Sequence, residues 1–186
     1  IAPDAHNDWA WIWGTLGIAV ASYRLGNIDE TVYFLKKFLE ARKQAQMNLR
    51  FYSYIFELCF AINIGKLPSI NGLSLQKEIA ECISGRNVFL KGVAYRYKAL
   101  EQKHQRAPLK KIINSLNKAI NLLTESGQKL ELAMSQFEMA RQLSIADNME
   151  EARKYALLGS QNISLINKEL LPGDMKEIIK EEHQYS

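Results

Sequence analysis

The side chains that could perform chemistry are few in this sequence of 186 residues and are spread along it. Imidazole groups occur only at His6, His104 and His183, and a general base needs a partner within hydrogen-bonding reach. Asp4 and Asp8 flank His6, but three possible ligands on one short polar segment are a weak pattern for a metal site. We therefore predict no catalytic residue, no metal site and no cofactor.

Motifs that carry common enzyme chemistry are missing from the sequence. It contains no glycine-rich phosphate loop, no HExxH, no CxxC pair, no dinucleotide fingerprint and no nucleophile elbow. Acidic side chains are scattered rather than paired on one helix face, so acid-base hydrolysis has no visible pair of carboxylates. Cys59 and Cys82 lie in apolar stretches and are predicted to be core thiols of a reducing compartment. We expect a cytoplasmic protein that is not an enzyme.

Basic residues are concentrated in the middle of the chain. Between residues 86 and 118, nine lysines and arginines accompany one acid, Glu101, giving 9 − 1 = +8, although the net charge of the whole chain is only +4. Such a run is most often a set of solvated helix faces. Nucleic-acid binding through this basic belt is kept as an alternative, and it predicts a steep dependence of affinity on salt.

Apolar residues recur at intervals of three and four along most of the chain, which is the period of α-helices. The stretch from Gln128 to Leu170 predicts two antiparallel helices, with Asp147 as the N-cap of the second and Pro172 as its end. The first of these helices carries two adjoining apolar stripes, which predict packing partners on both sides. The stripes consist of Leu132, Met139, Leu143 and Ala146, and of Ala133, Phe137 and Ala140.

The segment from Trp9 to Tyr23 is apolar almost all round. It is interrupted by glycines and is shorter than the run of about 20 apolar residues that crosses a membrane, so no membrane association is expected. A helix of this kind needs cover on two sides, and the rest of the chain can supply only one. The missing cover is predicted to be a preceding repeat, an adjoining domain or a second copy of the chain in a homo-oligomer.

The turn sequence GNIDET at Gly26 to Thr31 is similar to DNMEEA at Asp147 to Ala152. The two turns are 152 − 31 = 121 residues apart, which is about three steps of 40. This period predicts an all-α chain that forms one domain, residues 1–186, of about four antiparallel helix pairs. The pairs are expected at residues 8–47, 49–84, 87–126 and 128–170, with 171–186 as a C-terminal cap or tail.

These residues resemble tetratricopeptide-like (TPR-like) helical repeats. In that family a small residue precedes the turn, as Ala19 and Ala140 do here, and small residues recur in the second helix, as Ala156 and Gly159 do. The resemblance implies a right-handed α-α superhelix, or solenoid. The stretch ESGQKLELA at Glu125 to Ala133 is also similar to the repeat regions of bacterial signal-transduction ATPases and LuxR- or MalT-type transcription activators, where the repeats act as sensor or scaffold.

The resemblance implies a regulatory or scaffold module of a larger bacterial signalling or transcription-regulatory protein. Its partner is predicted to be a protein or peptide, with a small-molecule or pheromone-peptide sensor as the alternative. If the pairs stack, the first helix of each lines a concave groove, and aromatic and arginine side chains there suit an acidic segment. The predicted groove residues are Trp13, Tyr23, Arg24, Tyr52, Phe56, Arg96, Phe137 and Arg141. Reversing the charge of Arg96 or Arg141 is expected to weaken binding without loss of stability.

Overall fold

A computed structural model describes the backbone of residues 5–44 and 53–180. Within these ranges the chain is helical and contains no strand, which confirms the all-α class. The helices are α1 (Ala5–Arg24), α2 (Ile28–Gln44), α3 (Ile55–Asn63), α4 (Leu75–Ser84), α5 (Val88–His104), α6 (Leu109–Ser126), α7 (Lys129–Ile145), α8 (Met149–Ser164) and α9 (Gly173–Lys180). A short 3₁₀ helix, Lys168–Leu170, lies between the last two.

The chain divides into two compact units, residues 1–78 and 79–186. In the first unit α1 packs along α2 and also contacts α3. In the second unit α5 pairs with α6 and α7 pairs with α8, while α6 contacts α7 and α9 lies against both members of the last pair. Three of the four predicted pairs, α1 with α2, α5 with α6 and α7 with α8, therefore pack side by side. The predicted second pair is not of this kind, because α3 and α4 do not pack along each other.

The same tight turn ends α1, α3, α5 and α7. Gly26, Gly65, Arg106 and Asp147 all have positive φ, between 56° and 82°. In each turn the next amide donates to the carbonyl five residues before it, at 2.8–2.9 Å, which is the Schellman arrangement. The turns are 39, 41 and 41 residues apart (65 − 26, 106 − 65 and 147 − 106). The step of about 40 thus includes the turn after α3, and an irregular stretch follows that turn.

Two predicted helix ends are wrong. Asp147 has φ 59°, which places it in the turn after α7, and Asn148 caps α8 instead by accepting a hydrogen bond from the amide three residues on. The left-handed region is one that aspartate tolerates better than most residues. α8 ends at Ser164 rather than near Pro172, because Asn167 caps the separate 3₁₀ helix. Pro172 instead directly precedes α9, which begins at Gly173.

α7 is buried on both sides, as its two apolar stripes predicted. One stripe packs on α8 and α9 in a cluster of Ala133, Phe137, Ala140, Ala152, Ala156, Ile163, Met175 and Ile178. The other side of α7 places Met139 against Ala99 of α5 and Ile112 and Leu116 of α6. Through Met175 and Ile178, α9 closes the first of these cores, so residues 173–180 form a docked cap.

The sequence also predicted buried thiols and no membrane-spanning helix. The thiols of Cys59 and Cys82 are buried, which confirms their predicted place in the core. Among the described helices none combines the length and the apolar character that a membrane span needs.

Candidate functional site

The predicted groove residues divide into core and surface positions. Tyr52 lies outside the described residues. Phe56 and Phe137 are wholly buried, so their predicted place on a groove is corrected to the core. The aromatic periodicity that suggested a groove is produced here by rings that fill space between packed helices. Four of the eight, Trp13, Tyr23, Arg24 and Arg141, remain at least partly exposed, whereas Arg96 is buried.

Arg96 forms a buried ion pair inside the second unit. Its Nη2 donates to Glu131 Oε2 at 2.8 Å, and its guanidinium lies 4.4 Å from the centroid of the Tyr97 ring. Burial by itself would lower the pKa of Arg96, but Tyr97 and Glu131 outweigh it and raise that pKa. Because this ion pair is almost fully shielded from water, reversing the charge of Arg96 is expected to destabilise the unit, contrary to the sequence-based expectation.

Arg141 belongs to a chain of ion pairs across three helices. Its Nε lies 2.6 Å from Asp174 Oδ2 on α9, and its Nη1 lies 3.5 Å from Glu138 Oε2 on its own helix. Lys103 of α5 reaches the same Glu138 at 2.7 Å. The cation predicted to hold an acidic ligand is therefore paired with acids of the chain itself, and the pairs link α5, α7 and α9.

The pairing of Asp174 predicts that docking of α9 depends on pH. The hydrogen bond from Arg141 lowers the pKa of Asp174 below its usual value, against a smaller opposing effect of burial. A carboxyl group with a lowered folded-state pKa stabilises above its unfolded pKa of about 3.9, and that stabilisation is lost as pH falls through the folded value. We expect α9 amides to lose protection against hydrogen exchange below about pH 4.

The matched variants for this prediction are Asp174→Asn and Glu177→Gln, both on α9. Asp174→Asn should remove the pH dependence and cost no more than about 1 kcal/mol of docking free energy, because the pair is partly exposed to solvent. Glu177→Gln should keep the wild-type profile. An Asp174→Asn profile identical to the wild-type one would show that the ion pair does not hold α9.

Tyr23 and Arg24 lie in a surface cluster at the C-terminal end of α1. Arg24 makes a two-point ion pair with Glu57, Nε to Oε1 at 3.1 Å and Nη2 to Oε2 at 2.7 Å, and lies 6.0 Å from the Tyr54 ring. Partial burial and then the charge of Glu57 raise the pKa of Tyr23. Tyr54 and Glu57 were missed by the sequence analysis, although they lie near the start of the same helix as Phe56.

An unusual apolar surface lies on α1, on the side away from its core. Its exposed residues are Ala10, Trp11, Gly14, Gly17, Ile18 and Ala21, which we call the open face of α1. Trp11 is 57% exposed and Ile18 is 42% exposed. The four small residues recur at intervals of four, three and four and form one line along the helix. A Cβ added at Gly14 or Gly17 would meet no atom within 4 Å, so this line is open to an approaching backbone.

Trp13 and Arg24, two of the predicted groove residues, lie at one margin of the open face by helical position. Trp13 is 43% exposed. The open face itself carries no charged residue. No family model, curated protein or solved structure matches the chain.

The basic belt is only partly available for an anionic ligand. Arg96 and Lys103 are paired with acids, as described above. Lys98 and Lys118 lie 6.0 Å and 5.3 Å from the centroid of the Tyr95 ring. Nucleic-acid binding through the belt stays a prediction, and these contacts direct four of its nine cations toward the chain itself.

Two further features bear on ligands. A cleft of about 140 Å³ in the first unit is lined by Cys59, Ile62, Asn63, Leu73, Ser74, Leu75 and Gln76. Within the part of the chain whose side chains are described, no group of three or more His, Cys, Asp or Glu could hold a metal ion. The weak metal pattern at Asp4, His6 and Asp8 lies outside that part.

Proposed function

We propose that this chain is a non-catalytic protein-binding module, with a regulatory or scaffold role in a larger bacterial signalling or transcription-regulatory protein. Its partner binds the open face of α1. The observation that supports this proposal is the exposure of a continuous uncharged face on a helix whose opposite side is core. Large exposed apolar faces mark interaction surfaces, because leaving them in water is unfavourable.

The chemistry of the open face suits a protein partner more than a small ligand. Trp11 provides the large rigid side chain that most often dominates binding energy at interfaces. Glycines and alanines beside it let another backbone approach closely. The face is a shallow strip along a helix rather than an enclosed cavity, and cavities are what small molecules need.

The proposal includes a stacked, right-handed superhelical arrangement of the helix pairs. Its support is the recurrence of one turn every 39–41 residues, since equal steps are the signature of repeat units. The proposed binding surface differs from the concave groove predicted by the sequence. Of that groove, Trp13 and Arg24 stay next to the proposed surface, at its margin.

Site-specific photo-crosslinking in cells tests this function. A photoreactive amino acid replaces Ile18 on the open face, and a matched variant carries it at Glu150, an exposed position on α8. We expect discrete protein adducts from position 18 and none of the same size from position 150. The adducts should disappear when Trp11→Glu is added, because a desolvated charge disfavours binding.

The outcome that contradicts the proposal is equally specific. The open face does not bind a protein partner if position 18 gives no adduct, or if its adducts persist when Trp11→Glu is added. A dimer-sized adduct of this chain alone would identify the partner as a second copy.

A further inference from the structure

We infer that the partner is an antiparallel helix pair of the same repeat type as α5 and α6, seated on the open face of α1 as α5 and α6 are seated on α7. This inference rests on the proposed function, since it names the partner of the same surface. It follows from a residue-by-residue equivalence between α1 and α7.

The shared turn fixes the register of that equivalence. Gly26 and Asp147 have φ 82° and φ 59°, and they are 147 − 26 = 121 residues apart. Asn27 donates to the carbonyl of Ser22 at 2.9 Å, and the residues 121 positions later, Asn148 and Leu143, make the same bond at 2.9 Å. Each position of α1 therefore corresponds to the position 121 residues later in α7.

The core sides of the two helices agree in this register. The corresponding pairs are Ile12 and Ala133, Thr15 and Gln136, Leu16 and Phe137, and Ala19 and Ala140. All eight residues are buried. In both helices this side faces the second helix of its own pair, α2 for α1 and α8 for α7.

The open face corresponds to the side of α7 that another helix pair covers. The corresponding pairs are Ala10 and Glu131, Trp11 and Leu132, Gly14 and Ser135, Gly17 and Glu138, Ile18 and Met139, and Ala21 and Gln142. Each first member is exposed, whereas each second member is buried or half-buried. The contrast is largest at Ile18, 42% exposed, and Met139, 1% exposed.

The cover on α7 shows what chemistry this position of the repeat accepts. Met139 lies in one buried cluster with Ala99 of α5 and two aliphatic residues of α6, Ile112 and Leu116. Such a surface is rigid and aliphatic, and it covers the whole length of the helix face that packs against it. An extended peptide has no equivalent set of side chains at helical spacing.

The charges of the partner can also be inferred. On α7, Glu131 and Glu138 accept Arg96 and Lys103 of α5. Their counterparts on α1 are Ala10 and Gly17, which can pair with no cation. A partner cation buried against them would pay a desolvation cost without compensation. The helix pair that covers α1 is therefore aliphatic and uncharged where α5 is basic.

A register-matched graft tests this inference. A second copy of residues 87–128, with Arg96→Leu and Lys103→Leu, is joined directly to Asp8, the counterpart of Lys129, so that it precedes the remaining chain. Two reporter variants carry Ile18→Cys or Leu25→Cys. Both positions are exposed without the graft. The counterpart of Ile18, Met139, is buried, whereas the counterpart of Leu25, Ala146, is exposed. The native thiols are buried and contribute little labelling.

We expect the graft to slow thiol labelling at position 18 by at least about tenfold and to change labelling at position 25 by less than about twofold. Replacing Ile112 and Leu116 by aspartate in the grafted copy should restore fast labelling at position 18. Equal slowing at both positions would indicate unspecific collapse and overturn the inference. Unchanged labelling at position 18, with the graft helical by circular dichroism, would overturn it as well.

The two proposals fail separately. Crosslinked adducts at position 18 without protection by the graft would keep the open face as a binding surface and reject a helix pair of this type as its partner. Protection by the graft without any adduct in cells would support the geometric equivalence and reject the proposed function.

Discussion

Phe137→Ala is expected to lower the free energy of unfolding of the second unit by about 3–5 kcal/mol. The ring is wholly buried and lies against Gly159 of α8, in a cluster that also contains Ala133, Ala140, Ala152 and Ala156, whose methyl groups are too small to fill the cavity. The cost therefore combines lost burial of the ring with an unfilled void. Urea unfolding followed by circular dichroism measures it.

Ile145→Ala is the matched control on the same helix. Ile145 is 76% exposed, so its truncation should change the free energy of unfolding by less than about 0.5 kcal/mol. If Phe137→Ala instead weakened binding of a partner and left stability unchanged, Phe137 would lie on the groove that the sequence predicted, and its assignment to the core would be wrong.

The contact between Phe137 and Gly159 gives the same prediction a second test. A Cβ at Gly159 would lie 2.4 Å from Phe137 Cε1, so Gly159→Ala should destabilise through overpacking by about 1–3 kcal/mol. In the Phe137→Ala background the same substitution should become neutral or stabilising. Gly17→Ala, where the added methyl meets nothing, should stabilise α1 by up to about 1 kcal/mol.

Glu131→Ala is expected to lower the free energy of unfolding by about 3 kcal/mol, because it leaves the buried guanidinium of Arg96 without its carboxylate. The two side chains keep only 11% and 14% of their surface exposed. The Nε of Arg96 already lacks a hydrogen-bond partner, so the loss of Glu131 removes the main compensation for burying this charge.

Two comparisons separate this effect from ordinary loss of a surface contact. The double variant Arg96→Met with Glu131→Leu should be close to wild type in stability, because neither charge then needs solvation. Glu57→Ala removes the partner of Arg24, whose side chain is 58% exposed, and should cost less than about 1 kcal/mol. Equal costs for Glu131→Ala and Glu57→Ala would show that the Arg96 pair is solvated.

Helical periodicity was sufficient to predict most of the fold. The two stripes of α7 predicted two packing surfaces, and the structure shows Phe137 in one and Met139 in the other. The shared turn was visible in sequence at Gly26 and Asp147. It was not visible at Arg106, because a left-handed arginine leaves no compositional signal such as glycine or asparagine does.

The surface was harder to predict than the core. Periodicity places residues on faces of a helix but does not show which face meets a neighbour, so Phe56 and Phe137 were assigned to a groove although both are buried. Arg141 was assigned to a ligand because its partner Asp174 lies 33 residues away on another helix. The exposed face of α1 was predicted correctly, because the rest of the sequence could supply a packing partner for only one side of this apolar helix.

The most direct test of the central claim measures stability and binding on one variant, Trp11→Glu with Ile18→Glu. If the open face of α1 binds a partner and is not packed within the chain, the purified variant should unfold within about 0.5 kcal/mol of wild type. In cells, a photoreactive residue at the adjacent open-face position Ala21 should give an adduct in the wild-type background and none in this variant. An unchanged adduct, or a loss of several kcal/mol in stability, would contradict the claim.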